Sequence, residues 1–284
     1  MAAGPLNNTE NTMCNEINCF VSNKPALTVD PESRRRFLKG ATSLPLAYIL
    51  ADIELASASA HGGDMIRLDV EGVGEVSGYL AEPDDLNAPT VLLIHEWWGL
   101  NDHIKAVAQE FKSKGFRAVA VDLFKGSVAS DPAGAKTQIR SLNPDDAVKT
   151  MNAWVDWAKS KGNGKVGTCG WCFGGGWSLK TAFSAGPDAT VIYYGRVSAT
   201  EAEMAQLKTP LMGHFGTLDK GINPKMVGAF QQSLRNAGKD NLLKTYWYTA
   251  NHAFANPTGG RYDEDDAALA LARTLTFFES YLRV

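Results

Sequence analysis

The sequence contains few cysteines, little net charge and no long apolar segment. Four of its 284 residues are cysteine, which is too few for a disulfide-stabilised scaffold in a chain of this length. The formal net charge is −3, so neither nucleic acid nor an acidic membrane surface is an expected partner. The chain is long enough to bury a sizeable core. We therefore expect one folded domain, a monomer, with a small molecule as its partner.

Residues 1–60 are predicted to be a leader. A polar extension, 1–32, precedes Ser33-Arg34-Arg35-Arg36-Phe37-Leu38-Lys39, which resembles the twin-arginine export signal S-R-R-x-F-L-K at each specified position. A modestly apolar run follows, and Ala-x-Ala cleavage sites lie between Ala56 and Ala60. The apolar run is too short and too weakly apolar to span a membrane, so we predict no stable membrane insertion.

This leader predicts export by the twin-arginine route to the periplasm or the medium, with residues 61–284 as the mature domain. The alternative is a disordered basic tail without a targeting role, which would leave the protein in the cytoplasm. An oxidising destination matters for Cys169 and Cys172, because thiols there are open to disulfide formation.

Beyond residue 60, strand-like and helix-like segments alternate. Residues 67–71 and 75–80 predict an exposed antiparallel hairpin, and the continuous apolar run 90–95 is typical of a strand buried on both faces. Further strands are predicted at 116–121, 165–168, 189–194, 210–215 and 242–248, and helices at 102–114, from Asn143-Pro144, from Asn223-Pro224 and from Asp263. Residues 127–141 are predicted to be a loop or a weak helix. This order predicts one α/β domain with a mostly parallel sheet, whose site lies at the carboxyl ends of the strands.

The segment Cys169-Gly170-Trp171-Cys172-Phe173-Gly174-Gly175-Gly176 contains two motifs that share one cysteine. The five residues centred on Cys172 fit the nucleophile elbow G-x-S-x-G, with cysteine in place of serine. The same segment contains Cys-x-x-Cys, which is typical of dithiol redox sites. The first motif predicts a nucleophile on a strand-to-helix turn, and the second predicts a redox pair.

An acid and a histidine follow the elbow in the order that a hydrolase requires. Asp219 comes after the strand at 210–215, and His252 comes after the last strand. Nucleophile, acid and histidine in this order are typical of α/β-hydrolases. His252 would take the Cys172 proton, and Asp219 would orient the imidazole. Taken singly, Asp219 could be an ordinary turn aspartate and His252 an ordinary loop histidine.

These segments resemble the dienelactone hydrolase family of α/β-hydrolases, over about residues 65 to 282. The resemblance is carried by HEWWGLN at 95–101, GWCFGG at 170–175, YYG at 193–195, GTLD at 216–219 and NHAF at 251–254. It implies the α/β-hydrolase fold, with helices on both faces of the sheet. It also implies a Cys172–His252–Asp219 triad that hydrolyses a cyclic enol ester, with no metal and no cofactor.

The resemblance further implies that Glu96 binds the resting thiol, keeps it neutral and moves when substrate arrives. An oxyanion hole is expected from the backbone N–H groups of Phe173 and Trp97. Trp98, Lys125, Tyr194 and Phe254 are candidates for substrate binding; aromatic side chains of this kind are also common in ordinary cores.

The sequence departs from the family at two places that concern the substrate. Family members acting on carboxylate-bearing dienelactones have an arginine shortly after the histidine, where this chain has Asn256. A second arginine is expected after the fourth strand, where only Lys125 is present and out of register. Loss of two bidentate groups would weaken recognition of a carboxylate.

Two other functions remain open from the sequence alone. A thiol-disulfide oxidoreductase would use Cys169 and Cys172, although Cys169 is expected inside the strand and no thioredoxin-like proline loop is present. A catalytically inactive α/β-hydrolase would act as a binding module. His95-Glu96-Trp97-Trp98-Gly99 lacks the second histidine of H-E-x-x-H, so it does not predict a zinc site.

Overall fold

The computed structural model describes residues 27–284, whose centre is an eight-stranded sheet. The strands are β1 Asp64–Val70, β2 Gly74–Ala81, β3 Thr90–Ile94, β4 Arg117–Val121, β5 Val166–Trp171, β6 Ala189–Tyr193, β7 Leu211–Gly216 and β8 Leu243–Tyr248. Their spatial order is β1-β2-β4-β3-β5-β6-β7-β8. The pairs β1–β2 and β2–β4 are antiparallel and the other five are parallel, which confirms the predicted hairpin and the mostly parallel sheet.

Helices cover both faces of this sheet. After the N-terminal helices α1 Pro31–Leu38, α2 Leu46–Ala51 and α3 Ile53–Ala60 come α4 Asp102–Ser113, α5 Pro132–Ser141, α6 Pro144–Lys159, α7 Phe173–Ser184, α8 Glu201–Gln206, α9 Pro224–Asn236 and α10 Glu264–Leu282. Strand β3 shows how the two layers form, because successive side chains point to opposite faces. Leu93 packs in one cluster with Phe111 of α4 and Phe278 of α10, whereas Leu92 packs in another with Trp154 of α6. The fold is therefore that of an α/β-hydrolase, as predicted.

The predicted helix starts coincide with side-chain caps. Asn101, Asn143 and Asn223 each accept a hydrogen bond from a backbone N–H of the first turn of α4, α6 and α9, respectively. Gly115 follows the end of α4 with φ +78°, a conformation that glycine adopts without strain. These local signals fix the helix boundaries that the sequence predicts.

Two helices go beyond the sequence prediction. Residues 132–141, predicted as a loop or a weak helix, form α5, which Asp131 caps through the backbone N–H groups of Ala133 and Gly134. The short α8 was not predicted, although Thr200 and Glu203 form a reciprocal capping box at its start. In both cases the capping residues are present in the sequence, but the apolar periodicity of the segment is too weak to predict a helix.

The N-terminal helices pack against the sheet domain. Leu55 and Ala56 of α3 are buried, and α3 lies along α4. The side chain of Arg34 in α1 donates to Asp52 at 2.8 Å and pairs with Glu54. Residues 46–60 thus contact the domain that is predicted to begin at residue 61. Most of the polar extension, with Cys14 and Cys19, lies outside the described residues.

Across residues 27–284, no helix combines the length and apolar character that crossing a membrane requires.

Candidate active site

Cys172 lies on a sharp turn between β5 and α7. Its φ is +52° and ψ is −112°, a strained conformation for a residue with a side chain, and its N–H donates to the carbonyl of Tyr193 at 3.0 Å. A Cβ on Gly170 would collide with the carbonyl of Gly174, and one on Gly174 would collide with the carbonyl of Ile94. The glycines around Cys172 therefore allow the close approach that this turn requires.

Cys172, His252 and Asp219 form one continuous chain of contacts. The Sγ of Cys172 lies 3.0 Å from Nε2 of His252, and Nδ1 of His252 lies 2.7 Å from Oδ2 of Asp219. The other oxygen of Asp219 accepts the backbone N–H groups of Gly221 and Ile222, at 2.8 and 2.9 Å. All three side chains follow carboxyl ends of strands, β5, β7 and β8, and this common edge brings together residues that are far apart in the chain.

The surroundings of His252 favour its charged form. Burial by itself would lower the pKa of the imidazole, but the adjacent Cys172 sulfur and the Asp219 carboxylate together raise that pKa well above its usual value. Burial also opposes ionisation of Asp219, yet hydrogen bonds from His252 and from two backbone N–H groups lower the pKa of its carboxyl group. The arrangement thus stabilises an imidazolium between a sulfur and a carboxylate.

Glu96 contacts Asn256, while the thiol of Cys172 contacts His252. Oε2 of Glu96 accepts a 2.6 Å hydrogen bond from the side-chain amide of Asn256. Oε1 is buried and has no hydrogen-bond partner among the described residues. Burial raises the pKa of this carboxyl group, and the nearby His252 and the Asn256 amide offset that only in part. The site therefore contains a carboxyl group whose pKa is raised by burial.

Tyr194 places a second unsatisfied polar atom beside Glu96. It follows β6 with φ +36°, and its ring contacts that of His252 at 5.2 Å between centroids. Its hydroxyl is buried near the Glu96 carboxyl group but outside good hydrogen-bonding geometry, and it lacks a partner among the described residues. Burial raises the pKa of this hydroxyl well above its usual range, so it remains a donor.

The two residues predicted to form the oxyanion hole, Phe173 and Trp97, lie at the start of α7 and in the loop after β3. Phe173 is the first residue of α7, where backbone N–H groups have no acceptor within the helix. Trp97 lies in the loop after β3, and its carbonyl accepts the side-chain amide of Gln138 at 3.0 Å. His95 supports this loop, because its Nδ1 contacts the carbonyl of Glu96 at 2.6 Å and its Nε2 accepts the N–H of Leu123 at 3.2 Å. The sequence assigned no role to His95.

A cavity of about 270 Å³ lies beside these residues. Glu96, Trp98 and Tyr194 line it, together with Trp171 and Asn256. Helices α2 and α3 contribute Leu50, Ile53 and Ala56 to the lining, and α4 also contributes side chains. Neither Cys172 nor His252 is among the lining residues; the lining includes Trp171, which precedes Cys172 in the chain, and Tyr194, whose ring contacts that of His252.

Two of the predicted substrate-binding residues lie elsewhere. Lys125 is exposed in a turn that Asp122 stabilises, and it does not line the cavity. Phe254 is fully buried against the rings of Tyr194 and Tyr248, at 5.4 and 4.8 Å between centroids. Trp98 and Tyr194 do border the cavity. The sequence does not predict that α2 and α3 form part of the cavity. The contact that joins them to α4, between His103 Nε2 and the carbonyl of Leu50, links residues 53 positions apart.

Cys169 lies in the middle of β5 and is completely buried. Burial raises the pKa of its thiol well above the usual value, and within residues 27–284 both Cys169 and Cys172 are free. A redox pair needs an accessible thiolate, so this position does not favour the oxidoreductase hypothesis. In the described part of the chain, no three or more His, Cys, Asp or Glu side chains are grouped so that they could bind a metal ion.

Comparison with known proteins identifies the family. The sequence pattern of the Dienelactone hydrolase family matches residues 76–282. The chain is 32% identical over 232 residues to Protein usf of Aquifex pyrophilus, covering 78% of this chain and 99% of that protein. It is 29% identical over 223 residues to a carboxymethylenebutenolidase of a Pseudomonas species, covering 74% and 92% of the two chains.

Solved structures agree with the fold. A dienelactone hydrolase-like promiscuous phosphotriesterase from metagenomic libraries superposes with a TM-score of 0.67 at 20% identity, covering 78% of this chain and 99% of that one. Esterase 2 of Thermogutta terrifontis gives a TM-score of 0.58 at 15% identity, covering 77% and 94%. Because the sequence match extends over most of the sheet domain, the chain belongs to the dienelactone hydrolase family, the hydrolases of ester bonds that its sequence resembles.

Proposed function

We propose that this protein hydrolyses lactones or small esters through a Cys172–His252–Asp219 triad and a thioester acyl-enzyme. The observation that carries the proposal is the pair of contacts that joins the three side chains, 3.0 Å from Sγ to Nε2 and 2.7 Å from Nδ1 to Oδ2. A nucleophile, a base and a group that orients the base, each within hydrogen-bond reach of the next, are the requirements of covalent catalysis.

The first half of the reaction opens the ester. The proton of Cys172 moves to Nε2 of His252, and the thiolate attacks the carbonyl carbon of the substrate. The N–H groups of Phe173 and Trp97 stabilise the resulting oxyanion. As the C–O bond breaks, the imidazolium of His252 protonates the leaving oxygen. In a lactone that oxygen stays attached to the acyl group, so the product of this half is a ring-opened thioester.

The second half releases the acid. His252 takes a proton from a water molecule, which attacks the thioester carbonyl. Collapse of the second tetrahedral intermediate breaks the C–S bond, and the sulfur regains its proton from the imidazolium. The raised pKa of His252 supports the first proton transfer, because the Cys172 sulfur and the Asp219 carboxylate stabilise the imidazolium that forms when Nε2 takes the thiol proton.

The test is the hydrolysis of activated esters and enol lactones by wild type, Cys172→Ala and Cys169→Ala. We expect Cys172→Ala to lose at least roughly 10³-fold in kcat, since removing a nucleophile leaves only binding and the oxyanion hole. Cys169→Ala is the matched control and should retain activity, whereas a redox enzyme would need both thiols. Retained hydrolysis in folded Cys172→Ala would contradict the proposal.

A second measurement detects the intermediate. Acid quenching during turnover of a slow ester should give protein whose mass is increased by the acyl group, on the peptide containing Cys172 and in no variant lacking that thiol. Failure of a thiol reagent to label Cys172 in the folded protein would instead indicate an inactive binding module.

A further inference from the structure

The cavity beside Cys172 has no cationic group in its wall. Of its lining residues, Glu96 and Asp102 are acids, and none of those in the described chain is lysine or arginine. Asp102 is bound to Lys105 at 3.1 Å, so the charge of that lysine, which lies outside the lining, is already balanced. A carboxylate entering this cavity would therefore lose its hydration without gaining an ion pair, which is costly.

The two histidines of the wall do not supply the missing charge. His95 is buried and His103 is half-buried, and loss of hydration lowers the pKa of each imidazole below its usual value. Each also has a fixed partner: His95 contacts the carbonyl of Glu96, and His103 contacts the carbonyl of Leu50. Both rings are therefore neutral at neutral pH, and their donor atoms are already in use.

The polar atoms that remain unsatisfied suit a neutral oxygen group. Oε1 of Glu96 and the hydroxyl of Tyr194 are buried next to each other, and neither has a hydrogen-bond partner among the described residues. Unpaired buried polar atoms are rare in native structures, and a bound water, ion or ligand is one way to satisfy them. A carbonyl, ether or hydroxyl oxygen could bind both atoms without bringing in charge.

The rest of the wall is apolar. Within the predicted mature domain, Ile104 and Val107 of α4 line the cavity together with the indoles of Trp98 and Trp171. Burial of hydrocarbon surface against these side chains is favourable. The cavity volume of about 270 Å³ limits the ligand to a small molecule. The wall therefore favours a compact ligand with little polar surface.

We infer that the substrate is a small uncharged lactone or ester, and that this site discriminates against compounds with a free carboxylate near the scissile bond. The inference deepens the proposed function and rests on it for the identity of the reaction. Asn256 places a neutral amide in the wall on this side, and that amide donates to Oε2 of Glu96 at 2.6 Å.

The experiment compares two enol lactones of nearly equal shape, one with a carboxamide substituent and one with a carboxylate. Binding of each to Cys172→Ala is measured by calorimetry, and turnover of each is measured with wild type. We expect the carboxamide to bind more tightly, and to have the higher kcat/KM, by at least about tenfold. Equal or tighter binding of the carboxylate, or binding of neither compound, would overturn the inference.

A matched pair of variants assigns the discrimination to the wall. Asn256→Arg introduces a cation and should reduce the preference for the carboxamide at least about threefold, since a bidentate partner for the carboxylate is then present. Asn256→Gln keeps a neutral amide and should preserve the preference. If the carboxamide binds selectively but is not hydrolysed, the proposed function fails and the inference about the ligand stands.

Discussion

The side-chain amide of Asn256 donates a 2.6 Å hydrogen bond to Oε2 of Glu96, and this contact joins the loop after β8 to the loop after β3. The family resemblance implies that Glu96 binds the resting thiol. Here the thiol contacts His252 at 3.0 Å, so the triad and the Glu96–Asn256 pair form two adjacent sets of contacts. Glu96 therefore keeps one oxygen, Oε1, without a hydrogen-bond partner among the described residues.

Replacing Glu96 by glutamine should change the pH dependence of stability. The pKa of Glu96 is higher in the folded protein than in the unfolded chain, so folding favours the protonated form. The stabilisation is complete below the unfolded pKa and is lost as pH rises through the folded pKa. We expect Glu96→Gln to remove this loss in denaturant unfolding measured between about pH 4 and pH 8. A wild-type pH dependence that the variant retains would contradict the assignment.

Replacing Asp219 by asparagine should lower kcat/KM and shift its pH dependence. The raised pKa of His252 places the alkaline limb of kcat/KM well above the usual histidine range, since the imidazolium is needed to protonate the leaving oxygen. Asp219→Asn removes one of the groups that raise this pKa and leaves the imidazole poorly oriented. We expect kcat/KM to fall by roughly 10²–10⁴-fold and the alkaline limb to move to lower pH. An unchanged limb would show that Asp219 does not control His252.

The glycines of the elbow should differ sharply in their tolerance of alanine. A Cβ on Gly174 would collide with the carbonyls of Ile94 and His95, whereas one on Gly176 meets nothing closer than 3.6 Å. We expect Gly174→Ala to lose roughly 1–3 kcal/mol or more in the free energy of unfolding. Gly176→Ala, within the same helix, should gain about 0.5–1 kcal/mol. Equal effects of the two substitutions would contradict this local geometry.

The packing of α3 on α4 predicts that residues before 61 stabilise the domain. Leu55 is 0% exposed and Ile53 is 86% exposed, although they lie two positions apart. Leu55→Ala should cost about 2–5 kcal/mol in the free energy of unfolding of the protein described here, and Ile53→Ala should cost nothing measurable. If Leu55→Ala changed the free energy of unfolding as little as Ile53→Ala, α3 would not pack on the domain in solution.

We propose that the Ser33–Lys39 segment directs export, and the arginines of the motif allow a direct test. Changing Arg34 and Arg35 together to lysine keeps the charge but removes the twin arginines, so the protein should remain in the cytoplasm in cell fractionation. Arg36→Lys, at the unspecified position of the motif, is the matched control and should leave export intact. Equal export of both variants would favour the basic-tail hypothesis.

The sequence by itself determined the class of fold and the order of the candidate site residues. Continuous apolar runs predict buried parallel strands, and the carboxyl ends of such strands meet at one edge, so Cys172, Asp219 and His252 could be placed together before any distance was known. The pairs Asn143-Pro144 and Asn223-Pro224 predicted the starts of α6 and α9 because capping is a local interaction between near neighbours in the chain.

Only the tertiary structure decided what surrounds the thiol. That Asn256 binds Glu96 across 160 positions, that Lys125 lies outside the cavity, and that Leu50 forms part of its wall all depend on contacts between distant segments. No periodicity or spacing encodes such contacts, because they arise from how helices and loops pack on the finished sheet. The sequence thus determined where chemistry can occur, and packing determined the charge and shape of the cavity beside it.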